Sequence, residues 1–359
     1  MVKDVIKLGD VATYINGYAF KPEDRGEVGL RIIRIQDLTG NAYDLGFYDG
    51  EYPEKIEIND GDVLISWSAS LGVYVWNGGR ALLNQHIFKV VFDKVDIDKN
   101  YFVYAVRQKL VEMGMKTHGA TMKHIVKSDF DATLIPYPSL NEQAEIATNL
   151  KKVFGVIEAR KQELHLLDDL IKARFVELFG TLDNPAREFE KATLKELCYK
   201  ITDGKHGGCT FEEGTQRYFV GAREIYDDEI HYDTAPEINV EEFEKDYKRC
   251  NIEIGDFLIV NTGATIGKSA IATDARTEHT LLQKSVALLK VKKELLNPIF
   301  LKWCYRVNKR MYMVESASAQ PNLLLSKING TVIYVPDIEH QNQFADFVRA
   351  TYKSKVAVM

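Results

Sequence analysis

Apolar and polar positions alternate along the chain in two long series of short runs, each followed by a helical pattern. Residues 63–66 and 257–260 are almost wholly apolar and follow a Gly-Asp turn, which is typical of buried strands. The stretches RIIRIQDL and RYFVGAREI, which precede these turns, are predicted to be extended. A further strand pattern, IFKVVF or SVALLKV, leads into a helical pattern over residues 99–115 or 297–314. Strands mixed with one or two helices predict an α/β (mixed α+β) fold for each series.

The two series are copies of one another. The offset between matching positions stays near 190–200 residues, and a period that long indicates a domain duplication rather than a solenoid. The aligned pairs are Gly17 with Gly204, Gly61-Asp62 with Gly255-Asp256, Gly72 with Gly267, Pro138 with Pro336, and Gln143 with Gln341. We therefore predict two similar domains in tandem.

Residues 141–180, between the copies, carry the pattern of one long helix. Ser139 and Asn141 can cap its start, and Gly180 is a stop signal. Apolar residues recur at spacings of four and three, the seam of a coiled coil, at Ile146, Leu150, Val153, Ile157, Leu164, Leu167, Ile171 and Leu178. A helix of about 38 residues is roughly 57 Å long and needs a partner along its seam. A core helix of one large domain is the alternative interpretation.

A second, shorter helical pattern ends the chain. We expect a first domain at 1–140, the central helix with its linker at 141–183, a second domain at 184–338 and a C-terminal helix at 339–359. The last helix is about half as long as the central one, so it is interpreted as truncated. We expect the uncovered part of the apolar seam to allow self-association or to be covered by another chain.

Composition is that of a globular protein of the cytoplasm. The apolar fraction of 45% is sufficient for a core in each domain. The opening MVKDVIKLGD lacks the apolar centre of a signal peptide, and no run of about 18 apolar residues predicts a membrane span. Cys198, Cys209, Cys250 and Cys304 form no CxxC pair, so the pattern predicts neither a metal site nor disulfides. Reduced thiols are expected.

The net charge of −6 argues against nucleic-acid binding unless basic residues cluster. They do so in two segments at matching positions of the copies, residues 107–127 and 302–327, each with one acidic residue. The basic residues are Arg107, Lys109, Lys116, Lys123, Lys127, Lys302, Arg306, Lys309, Arg310 and Lys327. Paired positive strips suit phosphate contacts, and a solvated helix face is the alternative.

Several motifs recur in the same order in both copies. GDVLISWSASLG and GDFLIVNTGATIGK each combine a strand with a glycine turn, and PYPSLNEQAEIA and YVPDIEHQNQFA each lead into a helix. ITDGKHGG opens the second copy, and FVELFGTLDNP links the copies. Together, over essentially the whole chain, these motifs resemble the specificity subunits of type I restriction-modification systems.

The resemblance implies a non-catalytic DNA-binding subunit. Each target-recognition domain would contact one half of a bipartite, asymmetric target in double-stranded DNA, and the helices would hold two methyltransferase subunits. Motor-nuclease subunits would complete the restriction enzyme, and S-adenosylmethionine, ATP and Mg would be used by the partners, so this chain would need no cofactor. Half-sites about one turn apart, ~34–36 Å, suit a spacer helix of this order. The alternative is a truncated or solitary DNA-binding or scaffold protein without methyltransferase partners.

Candidate DNA contacts lie in the polar loops where the two copies differ. Asn and Gln can bind adenine edges, Arg can bind guanine, and small residues let the backbone approach the duplex. The first copy offers Ser68, Asn84, Gln85, Lys116, His118, Thr121 and Lys123. The second offers Asn261, Thr265, Lys268, Gln283, Lys284, Arg306, Lys309, Arg310, Gln320 and Asn322. Further candidates on or after the extended stretches are Arg31, Arg34, Gln36, Arg223 and Glu224.

The motifs disfavour an enzyme. GATIGKS has three residues between its first glycine and Gly-Lys-Ser where a phosphate-binding loop has four, so Gly267 is interpreted as a structural glycine with positive φ. An amino-methyltransferase would carry Asn or Asp before Pro-Pro-aromatic to hold a flipped base, which DNPA at 183–186 is not. A nuclease would need clustered carboxylates beside a lysine, and residues 242–245 instead belong to a polar helical pattern.

Overall fold

The computed structural model describes residues 4–116, 124–312 and 322–358, and the order of its strands shows that one architecture is built twice. Contacts divide the chain into Met1–Glu158, called unit 1, and Ala159–Met359, called unit 2. Helix α5 (Leu140–Phe179) contributes residues to both. The predicted mixed α/β fold with two similar domains and a long helix between them is confirmed, whereas the predicted domain boundaries stay predictions.

Unit 1 combines two four-stranded sheets and one two-stranded sheet with the first half of helix α5. Its strands are β1 (Val5–Lys7), β2 (Thr13–Asn16), β3 (Leu30–Ile33), β4 (Phe47–Tyr48), β5 (Glu57–Ile58), β6 (Val63–Ser66), β7 (Gly72–Val75), β8 (Ala81–Leu83), β9 (Ile87–Val91) and β10 (Leu134–Pro136). Its other helices are α1 (Leu8–Val11), α2 (Ile35–Leu38), α3 (Lys99–Lys116) and α4 (Lys127–Ala132). One four-stranded sheet has the antiparallel order β2-β9-β6-β7, and the other has the order β4-β3-β8-β5 with β3 and β8 parallel.

Unit 2 repeats this arrangement. Its strands are β11 (Glu190–Thr193), β12 (Cys198–Asp203), β13 (Tyr218–Val220), β14 (Ile225–Tyr226), β15 (Glu229–Ile230), β16 (Phe257–Val260), β17 (Ser269–Ile271), β18 (Thr280–Leu282), β19 (Val286–Val291) and β20 (Val332–Val335). Its helices are α6 (Leu194–Leu197), α7 (Val240–Tyr247), α8 (Pro298–Val307), α9 (Leu325–Gly330) and α10 (Ile338–Val358). The order β12-β19-β16-β17 matches the first sheet of unit 1, and β13 pairs parallel with β18 as β3 does with β8.

The Gly-Asp turn before β6 and β16 shows the duplication at the level of single hydrogen bonds. Gly61 and Gly255 have φ of 91° and 98°, a backbone conformation that favours glycine. Oδ2 of Asp62 accepts a hydrogen bond from the backbone N–H of Asn59 at 2.9 Å. Asp256 accepts the same bond from the residue three before it at 2.8 Å. The aligned sequence pairs therefore occupy equivalent structural positions.

The aligned glutamines connect each long helix to the unit that precedes it. Oε1 of Gln143 accepts a hydrogen bond from the backbone N–H of Asp98, and Oε1 of Gln341 accepts one from Asn297, both at 2.9 Å. Each amide nitrogen donates to the carbonyl of the proline five residues earlier, at 2.8 and 2.7 Å. Both side chains are fully buried. Because the two glutamine side chains are buried, the oxygen and the nitrogen of each amide both have a partner, as buried polar groups usually do.

Helix α5 begins one residue earlier than the sequence predicted. Ser139 caps it, since its backbone N–H and hydroxyl both donate to the carboxylate of Glu142, at 3.0 and 2.7 Å. Asn141 is inside the helix and does not cap it. Gly180, with φ of 73°, ends the helix as predicted.

The seam predicted along α5 is buried only near the helix ends. Residues 151–160 are all exposed, and Val153 has an exposed fraction of 54%. Towards the C-terminus the buried residues are Ile171, Phe175 and Phe179, and the ring of Phe344 in α10 lies 5.4 Å from that of Phe175. Their spacing of four corrects the heptad register, because this end packs on a globular core and not on one parallel partner.

Two further elements are shorter than the sequence predicted. Strand β3 stops at Ile33, because the carboxylate of Asp37 accepts a hydrogen bond from the backbone N–H of Arg34 at 3.0 Å and starts helix α2. Helix α8 stops at Val307, where the predicted helix continued to residue 314. Asn308 ends it by donating from Nδ2 to the carbonyl of Cys304 at 2.8 Å.

The four cysteines are free thiols, three of them buried. Burial raises the pKa of the Cys250 thiol to about 11. Over the described ranges, no helix has the combination of length and apolar character that crossing a membrane requires.

Candidate nucleic-acid interface

Four chain segments of unit 1 meet where the sequence placed its candidate DNA contacts. The N–H of Trp67, just after β6, donates to the carbonyl of His86 in the β8–β9 turn at 3.2 Å. The N–H of Ile125 donates to the carbonyl of Trp67 at 2.9 Å, and that of Gln85 to Tyr18 of the opening turn at 2.8 Å. The loops that carry Ser68, Asn84 and Gln85 are thus joined through their backbones.

The same segments meet in unit 2 through the same bonds. The N–H of Asn261 donates to the carbonyl of Ser285 at 2.9 Å, and that of Leu323 to Asn261 at 2.7 Å. The N–H of Lys284 donates to Lys205 of the second opening turn at 3.0 Å. Each unit therefore has one loop junction, called junction 1 and junction 2 below, and their residues correspond one to one.

A glycine in each opening turn permits this close approach. A Cβ on Gly17 would lie 2.0 Å from the carbonyl oxygen of Asn84, and one on Gly204 would lie 2.1 Å from that of Leu282. No side chain fits at such distances. The aligned glycines are explained by close packing of the opening turn on the β8–β9 or β18–β19 turn.

Junction 1 is aromatic. The Trp67 ring lies 4.9 Å from the His86 ring and 4.8 Å from the His124 ring, both in edge arrangements. Its Nε1 donates to Oδ1 of Asn16 at 3.2 Å. Sequence reasoning had not selected Asn16, Trp67 or His124 as site residues, and had noted His86 only as the last residue of the matched segment 84–86. Alignment with the second copy places Trp67, His86 and His124 opposite polar loop residues.

Junction 2 carries amides and hydroxyls at the equivalent positions. Asn261 replaces Trp67, Ser285 replaces His86, and Asn322 replaces His124. The hydroxyl of the residue after Asn261 donates to Oδ1 of Asn322 at 3.3 Å. One backbone frame therefore presents two different chemical surfaces.

Two polar atoms of junction 1 are buried and make no hydrogen bond with the described part of the chain, Oδ1 of Asn84 and Nδ1 of His86. His86 also has φ of 72°, which is a strained conformation for a residue with a side chain. Buried polar groups are usually paired, and strained residues cluster at ligand sites. Both features make the β8–β9 turn a candidate ligand site.

The remaining predicted contacts differ in accessibility. Ser68 and Asn261 are 4% and 3% exposed, so their burial favours support of the loops over base contact. Lys268 and Lys284 are exposed, and Gln85, Gln283 and Thr265 are half-buried. The positions that lie outside the described residues are His118, Thr121, Lys123 and Gln320, together with the side chain of Lys116.

The basic strip of unit 2 is largely paired. Arg306 contacts Asp228 at 2.5 Å, and Arg310 forms an ion pair with Asp183. Lys302 is buried against Asp228 at 3.4 Å, and its burial lowers the pKa of its ammonium group. Lys302 is thus a structural residue, not part of a phosphate-binding surface.

The strip of unit 1 is similarly engaged. Lys109 pairs with Glu112 at 2.9 Å and Lys127 with Asp131 at 2.6 Å. The guanidinium of Arg107 lies over two aromatic rings, 5.6 Å from the nearer ring centre. Fewer cations of this strip are available to contact phosphates than the number of basic residues in the sequence suggested.

The residues proposed on the extended stretches have structural partners. Arg34 is buried between Asp37 and Asp44, and Arg31 pairs with Asp37 at 2.8 Å. Glu224 is buried and accepts a hydrogen bond from the backbone N–H of Gly221 at 2.8 Å. Gln36 is half-buried and Arg223 is exposed. This geometry favours roles for the paired residues in holding the turns after β3 and β13.

The glycine turn of unit 2 is structural. Gly263 and Gly267 have φ of 96° and 92°, and a Cβ on Gly267 would lie 2.4 Å from the ring of Tyr312. The positive φ predicted for Gly267 is confirmed. Across the residues that the structure describes, no three His, Cys, Asp or Glu side chains are grouped to hold a metal ion.

Comparison with known proteins identifies the repeated unit. Residues 3–167 and 186–358 both match the family model of the type I restriction modification DNA specificity domain. The chain belongs to this family. It is therefore a type I specificity subunit, and its two units contain tandem DNA-recognition domains.

Individual relatives agree with the family assignment. The EcoBI specificity subunit of Escherichia coli is 24% identical over 375 residues, which cover 94% of this chain and 77% of that protein. The putative MjaX specificity subunit of Methanocaldococcus jannaschii is 30% identical over 139 residues, 38% of this chain and 32% of that protein. The crystal structure of an S subunit from M. genitalium is 16% identical and superimposes with a TM-score of 0.55, covering 99% of this chain and 90% of that one. This last likeness supports the fold.

Proposed function

We propose that each unit of this specificity subunit contacts one half of a bipartite, asymmetric target in double-stranded DNA, through the loops at junctions 1 and 2. One observation carries the proposal. The same backbone hydrogen bonds join the loops in both units, while the side chains at Trp67, His86 and His124 differ in type from those at Asn261, Ser285 and Asn322. A shared frame with different base-facing chemistry is what two different half-sites require.

In this proposal the long helices dock two methyltransferase subunits and direct adenine methylation and, with motor-nuclease subunits, restriction. The exposed apolar residues of α5 support docking of another protein, because a solvent-facing helix normally carries few of them. They are Val153, Phe154, Val156 and Ile157. The chain itself is non-catalytic, and S-adenosylmethionine, ATP and Mg are used by its partners.

A solitary DNA-binding or scaffold protein is the second candidate. The acidic net charge and the ion pairs of Arg306 and Arg310 favour the scaffold form of this candidate, since both reduce attraction to phosphate.

Co-purification with the cognate methyltransferase subunits, followed by sequencing of methylated adenines in DNA exposed to the complex, tests the proposal. We expect a stable complex that methylates adenines within a split motif whose two halves differ. A complex that methylates no split motif contradicts the recognition role. Absence of any complex contradicts docking and supports the second candidate.

A further inference from the structure

A cleft of about 450 Å³ lies within unit 2, beside the loops of junction 2. One wall is the C-terminal half of α5, with Asp168, Asp169 and Lys172. The opposite wall comprises the turn that ends at Lys268 and the C-terminal part of α8 with the residues after it. The cleft therefore connects the central helix to the same turn that begins at Asn261.

Most acidic groups of the cleft are already paired with cations. Asp228 contacts Arg306 at 2.5 Å and also Lys302, and Asp168 lies 3.8 Å from Arg306. Asp169 lies 3.9 Å from His165, whose ring is charged only when protonated. The contacts of Asp168 and Asp228 hold these two acids near positive charge, so they repel an incoming anion less than free carboxylates would.

Three lysines of the cleft remain available. Lys172, Lys268 and Lys309 are exposed and form no ion pair with the described residues. They come from three separate elements, α5, the β16–β17 turn and the turn after α8. Ammonium groups gathered from different elements form a surface suited to an anion with several charges.

A residue with a buried hydrogen-bond donor also lines the cleft. Trp303 lines it with an exposed fraction of 2%, and its Nε1 has no hydrogen-bond partner in the described part of the chain. The guanidinium of Arg306 lies 4.5 Å from the Trp303 ring centre and is held there by Asp228. A buried N–H of this kind can donate to an anionic oxygen.

We infer that this cleft binds the sugar-phosphate backbone of the DNA at the half-site of unit 2, and that Lys172 of the central helix is a phosphate contact. The inference rests on the proposed function, because Lys268 belongs to the turn that also supplies junction 2. A duplex seated on that turn places its phosphates beside Lys268 and Lys309, and the third lysine of the cleft completes the track. The spacer helix thereby contacts DNA itself.

Salt dependence of DNA affinity tests the inference. The full chain and its variants Lys172→Ala, Lys268→Ala and Lys309→Ala are titrated onto a labelled 30-base-pair duplex by fluorescence anisotropy at several NaCl concentrations. Each lost phosphate contact should reduce the slope of log affinity against log salt by ~0.9 and weaken binding by roughly fivefold to tenfold at 0.1 M salt. Lys152→Ala is the matched control, because Lys152 is an exposed lysine of the same helix outside the cleft.

The outcomes separate the inference from the proposed function. The expected result is a reduced slope for Lys172→Ala with an unchanged slope for Lys152→Ala. If Lys172→Ala behaves like the control while Lys309→Ala loses affinity, the central helix does not contact DNA and the inference fails alone. If Lys172→Ala instead weakens only the binding of methyltransferase subunits, the cleft is a protein-docking site. A wild-type chain without salt-dependent affinity would overturn both.

Discussion

At the scale of single residues, the packing of the recognition loops depends on glycines at positions that have no room for a side chain. The opening turns lie so close to the following turns that a Cβ at Gly17 or Gly204 would overlap a carbonyl oxygen. Backbone cannot yield as a flexible side chain does, so the glycine is required by packing and not by its dihedral angles.

We expect Gly17→Ala and Gly204→Ala each to lower the free energy of unfolding by on the order of 2 kcal/mol, as overpacked sites do. Gly208→Ala is the control, because a Cβ there has no neighbour within 4 Å. Urea unfolding followed by circular dichroism measures the differences. Equal stabilities for Gly17→Ala and Gly208→Ala would contradict the steric explanation.

The ion pair of Glu57 predicts a pH dependence in unit 1. Hydrogen bonds from Arg80 lower the pKa of Glu57 to about 2, from an ordinary value of 4.5. A lowered pKa means that the folded state favours the charged carboxylate, so its stabilisation is present above pH 4.5 and is lost as the pH falls towards 2. The thermal midpoint of Arg80→Met should therefore fall less steeply over this range than that of the wild type.

Asp274 offers the matched case in unit 2, where hydrogen bonds from Arg276 lower its pKa to about 2. Arg276→Met should show the same reduced slope. If the thermal midpoints of Arg80→Met and the wild type fell equally steeply between pH 4.5 and 2, the assignment for Glu57 would be disproved.

At the scale of elements, each long helix is attached to its unit by one buried glutamine. Gln143 and Gln341 accept the backbone N–H at the start of α3 and just before α8, and donate to the carbonyl of a proline. This arrangement sets the direction in which α5 and α10 leave the sheet, since it fixes the first helical turn at two points.

Gln143→Leu should cost roughly 1–3 kcal/mol of unfolding free energy, because it leaves the part-buried N–H of Asp98 and the carbonyl of Pro138 without their partner. Gln341→Leu should have a similar effect on unit 2. Gln162→Leu, at an exposed position of α5, is the control. Differential scanning calorimetry measures the melting temperatures. Equal melting temperatures for all three variants would refute the role of the buried glutamines in attaching the helices.

At the scale of the whole molecule, the two copies have the same backbone architecture but different side chains in the loops proposed to contact DNA. The two units share strand order, turns and loop junctions, whereas the exposed loop residues differ. Substitutions in one junction should therefore act on one half-site and leave the other half-site and the spacing unchanged.

Gln85→Ala should relax sequence preference at the half-site of unit 1 only, and Lys284→Ala at that of unit 2 only, by about 1–3 kcal/mol per contacted base. Sequencing of methylated adenines produced by complexes containing each variant measures both half-sites at once. Each variant is the control for the other. Relaxation of both halves by either one would mean that the junctions do not contact separate half-sites.

Patterns within the amino-acid sequence were sufficient to predict the duplication, the α/β class, the long central helix with its Gly180 stop, and the positions of the loops. These features rest on local signals, namely apolar periodicity, glycine turns and caps, which act over a few residues. The aligned glutamines and Gly-Asp turns were likewise visible because both copies carry them.

Which side chains are available to contact DNA depends instead on the folded arrangement of distant elements. Arg306 and Asp228 are 78 residues apart in sequence but are paired, so a count of basic residues overestimated the positive surface. Phe175 and Phe179 are buried in place of a heptad seam, because the core that they contact is formed by α8 and α10. Trp67, His86 and His124 meet only when three loops close. Such contacts depend on which distant elements the fold brings together, and no pattern within one segment specifies that.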